Sequence, residues 1–313
     1  MLQEMEIKIK ELELEIFKLQ KEDNPDNDIL LQELEDKKKE YQKKAYKNIT
    51  SYDRVYLARK KDRPHTKEFI ANLFDDFIEM HGDRKGSDDG SIIGGIATFN
   101  TIPVTVIGHV KGNTLEENLA CNFGMSSSGG YRKALRLMQQ AEKFHRPIIT
   151  FIDTPGAYPG LEAEKEGIGE AIAQNIMAMT VIRVPIICIV TGEGGSGGAL
   201  ALGVGDRLVM LENAIYSIIS PEGFASILWK DKEGKRVAEA SEVMKLTAKD
   251  LHAKKVIDTI IPEPQGGITC DKEFVYKQLR RYLQTELATL TKISVHELTM
   301  KRYEKYRTIG NAR

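Results

Sequence analysis

The chain has 313 residues with 45 basic and 46 acidic side chains, which give a formal net charge of −1. This balance excludes a dedicated nucleic-acid binder, because such proteins gain most of their affinity from an excess of Lys and Arg. The three cysteines show no CxxC spacing, which excludes a disulfide scaffold and a zinc ribbon within this chain. We find no signal-peptide pattern and no apolar run of membrane-spanning length, and we expect a cytoplasmic protein.

Glycine is distributed unevenly along the chain. Residues 1–68 contain none, and they carry 16 basic and 16 acidic side chains. Residues 82–205, by contrast, hold 21 of the 26 glycines. We therefore expect the two regions to have different roles.

The glycine-free segment has the seven-residue periodicity of packed helices. Apolar residues recur at a and d spacing: Leu2, Met5, Ile9, Leu12, Ile16 and Leu19. The turn-forming residues 23–27, which include Pro25, end this helix, and a second helix is predicted over 29–48. The hairpin either packs on its own core in solvent or acts as an oligomer clamp, because Ile7 and Leu14 lie off the main stripe.

Strands and helices alternate through the middle of the chain, which indicates an α/β core. Strands are predicted at Ile92–Phe99, Val104–Gly108, Ile148–Ile152, Pro185–Thr191, Arg207–Leu211 and Ile215–Ile219. Helices are predicted at Tyr131–Phe144, Leu161–Ile182 and Gly197–Gly205, and another starts with Ser220 as N-cap and Pro221 at N1. The basic tail Lys301–Arg307 is predicted to be a surface helix. We divide the chain into an assembly hairpin (1–50), a core (51–262) and a C-terminal helical segment (263–313).

Two segments combine a buried strand, a glycine-bearing loop and a helix start. They are Phe151–Gly160 and Val190–Leu200. Glycine lets backbone N–H groups approach a ligand closely, and a helix N-terminus presents unpaired N–H groups with partial positive charge. For one such segment, tight packing of the helix on the strand is as good an explanation as a ligand site. The presence of two such segments favours a site for an anion or oxyanion.

The motifs of nucleotide-binding proteins match these glycine segments poorly. The glycines at 192, 194 and 197 fit the dinucleotide fingerprint, but the helix that follows them is too short for the crossover of that fold. A P-loop is excluded because no Lys followed by Ser or Thr comes after the glycines. Asp153–Gly156 is similar to a GTPase switch segment, but it has no P-loop to accompany it.

Single side chains give weaker indications. Lys245 lies in a segment similar to that around a biotinylated lysine, but its surroundings favour a helix surface over the tight turn of a biotin carrier domain. The six histidines show no metal-ligand spacing, and we expect His109 and His145 to be structural residues that line the core. Because no clear side-chain acid or base is found, we expect the reactive base to be carried by a cofactor or a substrate.

Four motifs resemble those of the carboxyltransferase alpha subunits of bacterial acetyl-CoA carboxylase. They are Gly130–Met138, Phe151–Gly160, Gly192–Gly205 and Tyr216–Gly223, and the likeness extends over nearly the whole chain. The resemblance implies an α/β fold with a crotonase-like core of repeated ββα units. It also implies transfer of a carboxyl group from carboxybiotin to acetyl-CoA, which gives malonyl-CoA for fatty-acid synthesis.

The family motifs imply roles for individual residues. Oxyanion donors are placed at Gly197 and Gly198, with Gly156 and Ala157 completing the catalytic pocket, and cofactor contacts at Tyr158, Lys165, Gly195 and Ser196. The biotin is carried by a separate carrier protein, no metal is implied in this chain, and zinc belongs to the beta subunit. The implied partners are that beta subunit in an alpha2beta2 complex, biotin carboxyl carrier protein, biotin carboxylase and acetyl-CoA or malonyl-CoA, without membrane or nucleic acid.

One departure from the family pattern concerns charge. Where the family has an arginine suited to clamp a carboxylate, this chain has Glu166, beside Lys165 as a point charge. Two alternatives to the family's activity stay open, and the substitutions at Glu166 and Ile168–Gly169 keep the second of them open. The first is a related biotin-dependent acyl-CoA carboxyltransferase or decarboxylase subunit, and the second is a non-catalytic scaffolding paralogue.

Overall fold

The chain begins with two long helices that pack against each other. A computed structural model describes residues 2–21 and 27–310, in which helix α1 spans Leu2–Lys21 and α2 spans Asn27–Ala45. The predicted apolar stripe is buried at Leu2, Ile9, Leu12 and Ile16. The predicted helical hairpin is thus confirmed. Of the predicted turn residues, Asn27 begins α2 and 23–26 lie outside the described residues.

One buried carboxylate joins the hairpin to the rest of the chain. Glu6 is 7% exposed and accepts hydrogen bonds from the hydroxyl groups of Tyr46 and Tyr56, the latter at 2.8 Å. The ammonium group of Lys60 lies 3.1 Å from the same carboxylate. Two apolar residues off the stripe are exposed, namely Ile7 and Leu14. The first helix is therefore anchored by Glu6 and keeps apolar side chains in solvent.

A mixed sheet of eight strands forms the centre of the described chain. Its strands are β1 (Asp75–Glu79), β2 (Ile92–Phe99), β3 (Ile102–His109), β4 (Ile148–Thr154), β5 (Ile186–Gly195), β6 (Arg207–Leu211), β7 (Ile215–Ser217) and β8 (Thr259–Ile261). Their order is β1-β2-β3-β4-β5-β6-β8, and β7 pairs with β5 off this path. The first three strands are antiparallel, and β3, β4, β5, β6 and β8 run parallel. The carboxyl ends of β3, β4 and β5 therefore lie at one edge.

Helices connect and cover these strands. They are α3 (Ser51–Ala58), α4 (Thr66–Leu73), α5 (Leu115–Ala120), α6 (Ser128–Lys143), α7 (Leu161–Lys165), α8 (Ile168–Val181), α9 (Ser196–Leu200), α10 (Pro221–Trp229), α11 (Val237–Met244), α12 (Ala248–Ala253), α13 (Lys272–Leu290) and α14 (Val295–Thr308). The predicted cap of α10 is confirmed, since Ser220 Oγ accepts the N–H of Gly223 at 3.0 Å. Within the described ranges, none of the helices has both the length and the apolar character needed to cross a bilayer.

Several predicted elements have different bounds in the structure, among them the helix predicted at Gly197–Gly205, since α9 spans Ser196–Leu200. The single helix predicted at Leu161–Ile182 is wrong, because α7 and α8 are separated at Gly167, whose φ of 76° lies in the left-handed region that favours glycine. The predicted loop after Thr191 is too long, because β5 continues to Gly195 through its pairing with β4 and β7. The sequence also did not indicate β1, whose charged residues lack apolar alternation.

The C-terminal helix α14 lies at the surface as predicted, with Leu298 and Arg302 as its buried residues. Arg302 is 1% exposed, and its Nε and one Nη lie 2.9 Å and 2.7 Å from the two carboxylate oxygens of Asp206. The guanidinium also donates to the carbonyl groups of Met179, Ile182 and Val184. Arginine can be buried here because its five N–H donors and its charge all find partners. This contact fixes α14 to the core.

Candidate functional site

The two predicted glycine segments meet where β4 and β5 end. A Cβ atom on Gly195 would lie 2.1 Å from the carbonyl oxygen of Pro155. A Cβ atom on Gly198 would lie 2.6 Å from the amide nitrogen of Ala157. No side chain fits at these distances, so glycine is required for the two backbones to approach each other.

This approach brings unpaired backbone N–H groups together. Gly197 and Gly198 lie in the first turn of α9, where N–H groups have no intrahelical acceptor. Among the turn, loop and cap hydrogen bonds between described residues, none engages these two groups or the N–H of Ala157. The N–H of Gly156 is occupied, since it donates to Thr154 Oγ1 at 3.1 Å. The loops therefore present three free donors, and Gly156 contributes through its lack of a side chain.

A cluster of buried ion pairs adjoins the two loops. The Lys111 ammonium group lies 2.8 Å from Asp153 Oδ1 and 3.0 Å from Glu193 Oε2. His65 Nδ1 lies 3.3 Å from Asp153 Oδ2, and Arg59 Nε lies 2.6 Å from Glu193 Oε1. The backbone N–H of Glu193 also donates to Asp153 Oδ1 at 2.9 Å. These contacts tie the end of β4 to the end of β5, directly before the glycine loops.

Burial and neighbouring charges have opposite effects on the pKa values of Asp153 and Lys111. Burial raises the pKa of Asp153, but Lys111 and His65 outweigh it and hold that pKa well below its ordinary value of 3.8. Burial lowers the pKa of Lys111, but Asp153 and Glu193 outweigh it and raise that pKa above its ordinary value. Both groups are charged at neutral pH. A carboxylate already bound by three donors is not free to act as a general base, so Asp153 supports the loops.

No sequence motif predicted this cluster of charged residues. Lys111, Asp153 and Glu193 all lie near the carboxyl ends of β3, β4 and β5. The carboxyl ends of neighbouring parallel strands meet at one edge of a sheet, where ligand sites of α/β proteins are found. Charged residues at these three strand ends were therefore the available signal.

Two buried side chains adjoin the Gly198 loop without a polar partner. His109 and Tyr131 are fully buried, and their rings lie 6.5 Å apart. A Cβ atom on Gly198 would lie 2.8 Å from the Tyr131 hydroxyl oxygen. Within the described residues, neither ring nitrogen of His109 nor this hydroxyl has a hydrogen-bond partner. Burial lowers the pKa of His109 to about 4, so its ring is neutral at pH 7.

The two histidines expected to line the core have different surroundings. His109 is buried in the core, which confirms the expectation for this residue. His145 is exposed, so the expectation for it is wrong. It follows the end of α6 with a φ of 54°, in the turn that leads to β4.

A cavity of about 480 Å³ opens beside α9. Ser196 and Gly197 of the glycine loop line it, together with Lys245. Most of its lining is apolar and includes Leu200, Ile218, Ile219, Phe224, Leu251 and Val256. Lys245 is not on a helix surface as predicted, because α11 ends at Met244 and the chain turns there with a φ of 53°. A mostly apolar cavity of this size with a few polar groups is typical of a small-molecule site.

A second cavity, of about 560 Å³, lies around Glu166. The Glu166 carboxylate accepts a hydrogen bond from Ser128 at 2.7 Å, and its carbonyl group accepts one from Arg132 at 3.1 Å. The basic residues of the lining are Arg84, Lys85, Arg132 and Arg136. The side chain at position 166 is thus held by α6, and it does not line the cavity that contains Gly197.

Most of the predicted site residues lie together. The group comprises Gly156, Ala157, Tyr158, Gly195, Ser196, Gly197 and Gly198. Lys165 is separate, since it is exposed at the end of α7, pairs with Glu162 at 3.1 Å and lines neither cavity.

Within residues 2–21 and 27–310, no group of three or more His, Cys, Asp or Glu side chains is arranged to hold a metal ion.

Comparison with known proteins connects this geometry to a family. The family model for "Acetyl co-enzyme A carboxylase carboxyltransferase-like" proteins matches residues 2–310. The chain is 51% identical over 310 residues to the acetyl-coenzyme A carboxylase carboxyl transferase subunit alpha of Bacillus subtilis, with 98% of this chain and 95% of that protein covered. It is 54% identical over 264 residues to the "subunits beta/alpha" protein of Natranaerobius thermophilus, with 84% of this chain and 43% of that protein covered.

Solved structures show the same fold. Transcarboxylase 12S matches with a TM-score of 0.61 at 18% identity, over 78% of this chain and 46% of that one. A Pseudomonas malonate decarboxylase heterodimer matches with a TM-score of 0.54 at 20% identity, over 72% of this chain and 90% of that one. The expected α/β, crotonase-like fold is confirmed. The chain belongs to the family of acetyl-CoA carboxylase carboxyltransferase alpha subunits.

Proposed function

We propose that this chain is the alpha subunit of an acetyl-CoA carboxylase carboxyltransferase and provides the biotin side of its active site. The reaction transfers a carboxyl group from carboxylated biotin, held on a separate carrier protein, to acetyl-CoA, which gives malonyl-CoA. The observation that carries the proposal is the meeting of three unpaired N–H groups, those of Ala157, Gly197 and Gly198. They occur in a chain 51% identical to a carboxyl transferase alpha subunit.

The residues beside α9 fit a biotin ring. Biotin combines an apolar ring system with a ureido oxygen that accepts hydrogen bonds, and the cavity combines an apolar lining with the backbone of Gly197. Glycine at 198 lets the two loops approach each other, since a Cβ atom there would lie 2.6 Å from the amide nitrogen of Ala157. Carboxylated biotin supplies the carboxyl group, and its ureido oxygen takes up negative charge as that group leaves.

This chain contributes hydrogen-bond donors that are in place before the reaction begins. Fixed N–H groups stabilise developing negative charge better than water does, because they need no reorientation, and one such donor contributes about 3–4 kcal/mol. The ion pairs of Asp153 with Lys111 and His65 hold one of the two loops, and those of Glu193 hold the other. The side-chain cluster therefore positions the backbone that binds the charge.

A beta subunit is proposed to supply the other half of the site. The relatives are named as subunits, and the Natranaerobius protein is named for both beta and alpha subunits in one chain. We propose an alpha2beta2 complex in which the beta subunit binds CoA and carries zinc. Biotin carboxyl carrier protein, loaded by biotin carboxylase, is proposed to bring the carboxylated biotin to the cavity.

Reconstitution with the beta subunit tests this proposal. The purified complex should transfer the carboxyl group of malonyl-CoA to biocytin, and the release of acetyl-CoA should depend on biocytin. A stable complex without transfer would contradict the proposal and favour a scaffolding paralogue. Faster transfer from another acyl-CoA would favour the related carboxyltransferase or decarboxylase.

A further inference from the structure

Two successive sets of backbone contacts connect the chain at Lys245 to the glycine loop. Gly194 and Gly195 of β5 pair with Tyr216 and Ser217 of β7. The N–H of Tyr216 in turn donates to the carbonyl oxygen of Leu246 at 3.0 Å. The position of Lys245 is therefore coupled to that of the loop, although the two lie fifty residues apart in the sequence.

Lys245 also has an unfavourable backbone conformation. Its φ of 53° and ψ of 48° lie in the left-handed region, where glycine or asparagine is preferred. A left-handed residue commonly ends a helix, and at Lys245 it ends α11 beside the cavity.

The charge of Lys245 stands out in its surroundings. Of the described residues that line the cavity beside α9, it alone carries a charge, and the others are apolar or hydroxyl-bearing side chains or glycine. No ion pair or hydrogen bond of its ammonium group is formed with another described residue. An anion in an apolar cavity needs a compensating charge, and this ammonium group is the one available.

We infer that Lys245 binds the carboxylate of the group being transferred while the biotin ring occupies the cavity. This inference rests on the proposed function and extends it by naming a positioning residue for the carboxyl group. Backbone N–H groups suit the ureido oxygen, whereas a full positive charge suits a carboxylate, so the two kinds of donor serve two parts of one ligand. Lys245 thereby distinguishes the carboxylated ring from the neutral ring.

Three variants test the role of Lys245 in the complex with the beta subunit. Lys245→Asn removes the charge and suits the left-handed backbone, and Lys245→Arg keeps the charge. Lys230→Asn is the matched control, because Lys230 is also an exposed lysine that ends a helix in the left-handed region, with a φ of 54°, and it does not line the cavity.

Transfer from malonyl-CoA to biocytin gives the kinetic result. We expect Lys245→Asn to lower kcat about tenfold or more and to leave the KM for biocytin within about twofold, because the biocytin ring is neutral before transfer. Lys245→Arg should retain most activity, and Lys230→Asn should match wild type. An unchanged kcat in Lys245→Asn, or a higher KM for biocytin alone, would overturn the inference. Absence of transfer by wild type would instead contradict the proposed function, and the inference with it.

Chemical labelling gives a second result that does not depend on rates. Trinitrobenzenesulfonate modifies exposed lysines, and mass spectrometry of peptides measures modification at Lys245 and Lys230 separately. Malonyl-CoA and biocytin together should protect Lys245 severalfold, whereas either ligand alone should not, and Lys230 should stay reactive in all samples. Equal protection by biocytin alone would show that Lys245 contacts the ring and not the carboxylate, which would overturn the inference.

Discussion

In the N-terminal hairpin, side chains hold the structure together, whereas in the candidate site the backbone itself makes the decisive contacts. The hairpin buries an apolar stripe and is anchored by the Glu6 carboxylate. The site depends on glycines whose missing Cβ atoms let two loops touch, and side chains support it from the adjoining ion-pair cluster. Periodic side chains can therefore be exchanged for similar ones in the hairpin, whereas adding a single carbon atom at Gly195 or Gly198 displaces the backbone.

The largest effect is expected in the cluster that supports the site. Lys111→Met removes the cation that Asp153 and Glu193 share and leaves them with His65 and Arg59 as their remaining partners, so we expect the free energy of unfolding to fall by about 3 kcal/mol. Denaturant unfolding measures this change. Lys292→Met is the control, because Lys292 is exposed, and its effect should stay within about 0.5 kcal/mol. Equal stability of the two variants would show that the cluster does not hold the loops.

The same cluster gives a pH dependence with a defined sign. Asp153 has a folded-state pKa below its ordinary value of 3.8, so its stabilising contribution is complete above that value and is lost as the pH falls through the lowered pKa. Without Lys111, the pKa of Asp153 rises and less stability remains to be lost in acid. The difference in unfolding free energy between wild type and Lys111→Met should narrow between neutral pH and about pH 2. A constant difference would contradict this account.

Two adjacent glycines allow the effect of a steric clash to be distinguished from the effect of replacing glycine by alanine. A Cβ atom on Gly198 would lie 2.6 Å from Ala157 N, whereas the nearest contact of one on Gly197 is Ile172 Cδ1 at 3.7 Å. Gly198→Ala pushes the donors apart, and we expect kcat to fall by about 10²–10³-fold. Gly197→Ala keeps its N–H group and meets no close atom, so its loss should be at least tenfold smaller. Steady-state transfer assays on complexes of equal stability measure kcat for both variants. Equal losses of kcat would be inconsistent with the proposed geometry.

A smaller effect is expected in the hairpin. Glu6→Gln removes the charge that binds Lys60 and the two tyrosine hydroxyl groups, and the free energy of unfolding should fall by about 2 kcal/mol. Transfer activity should be unchanged, because Glu6 lies outside the site. Glu13→Gln, on an exposed position of the same helix, is the control for stability. A loss of activity in Glu6→Gln at full stability would show that the hairpin and the site are coupled.

The smallest effect is a gain in stability beside the Gly198 loop. The buried Tyr131 hydroxyl has no partner among the described residues, so Tyr131→Phe removes an unpaired polar group. We expect the free energy of unfolding to rise by about 1 kcal/mol, measured by thermal unfolding. A decrease would show that an ordered water molecule binds this hydroxyl.

The sequence predicted features that depend on local pattern. The stripe of the hairpin follows from periodicity, and the two glycine segments follow from strand, loop and helix signals at Phe151–Gly160 and Val190–Leu200. Contacts between distant residues could not be predicted in this way, because nothing near Arg302 in the sequence indicates that it binds Asp206. The division of the chain at residues 50 and 262 stays a prediction, as do the ligand contacts of Tyr158 and Lys165.

The most direct test of the central claim is a crystal structure of the complex with the beta subunit and bound biocytin. We predict that the ureido oxygen of biocytin lies about 2.7–3.1 Å from the backbone nitrogens of Ala157 and Gly198, with the ring in the cavity lined by Gly197. A ureido oxygen bound elsewhere, with these N–H groups facing only water, would contradict the account.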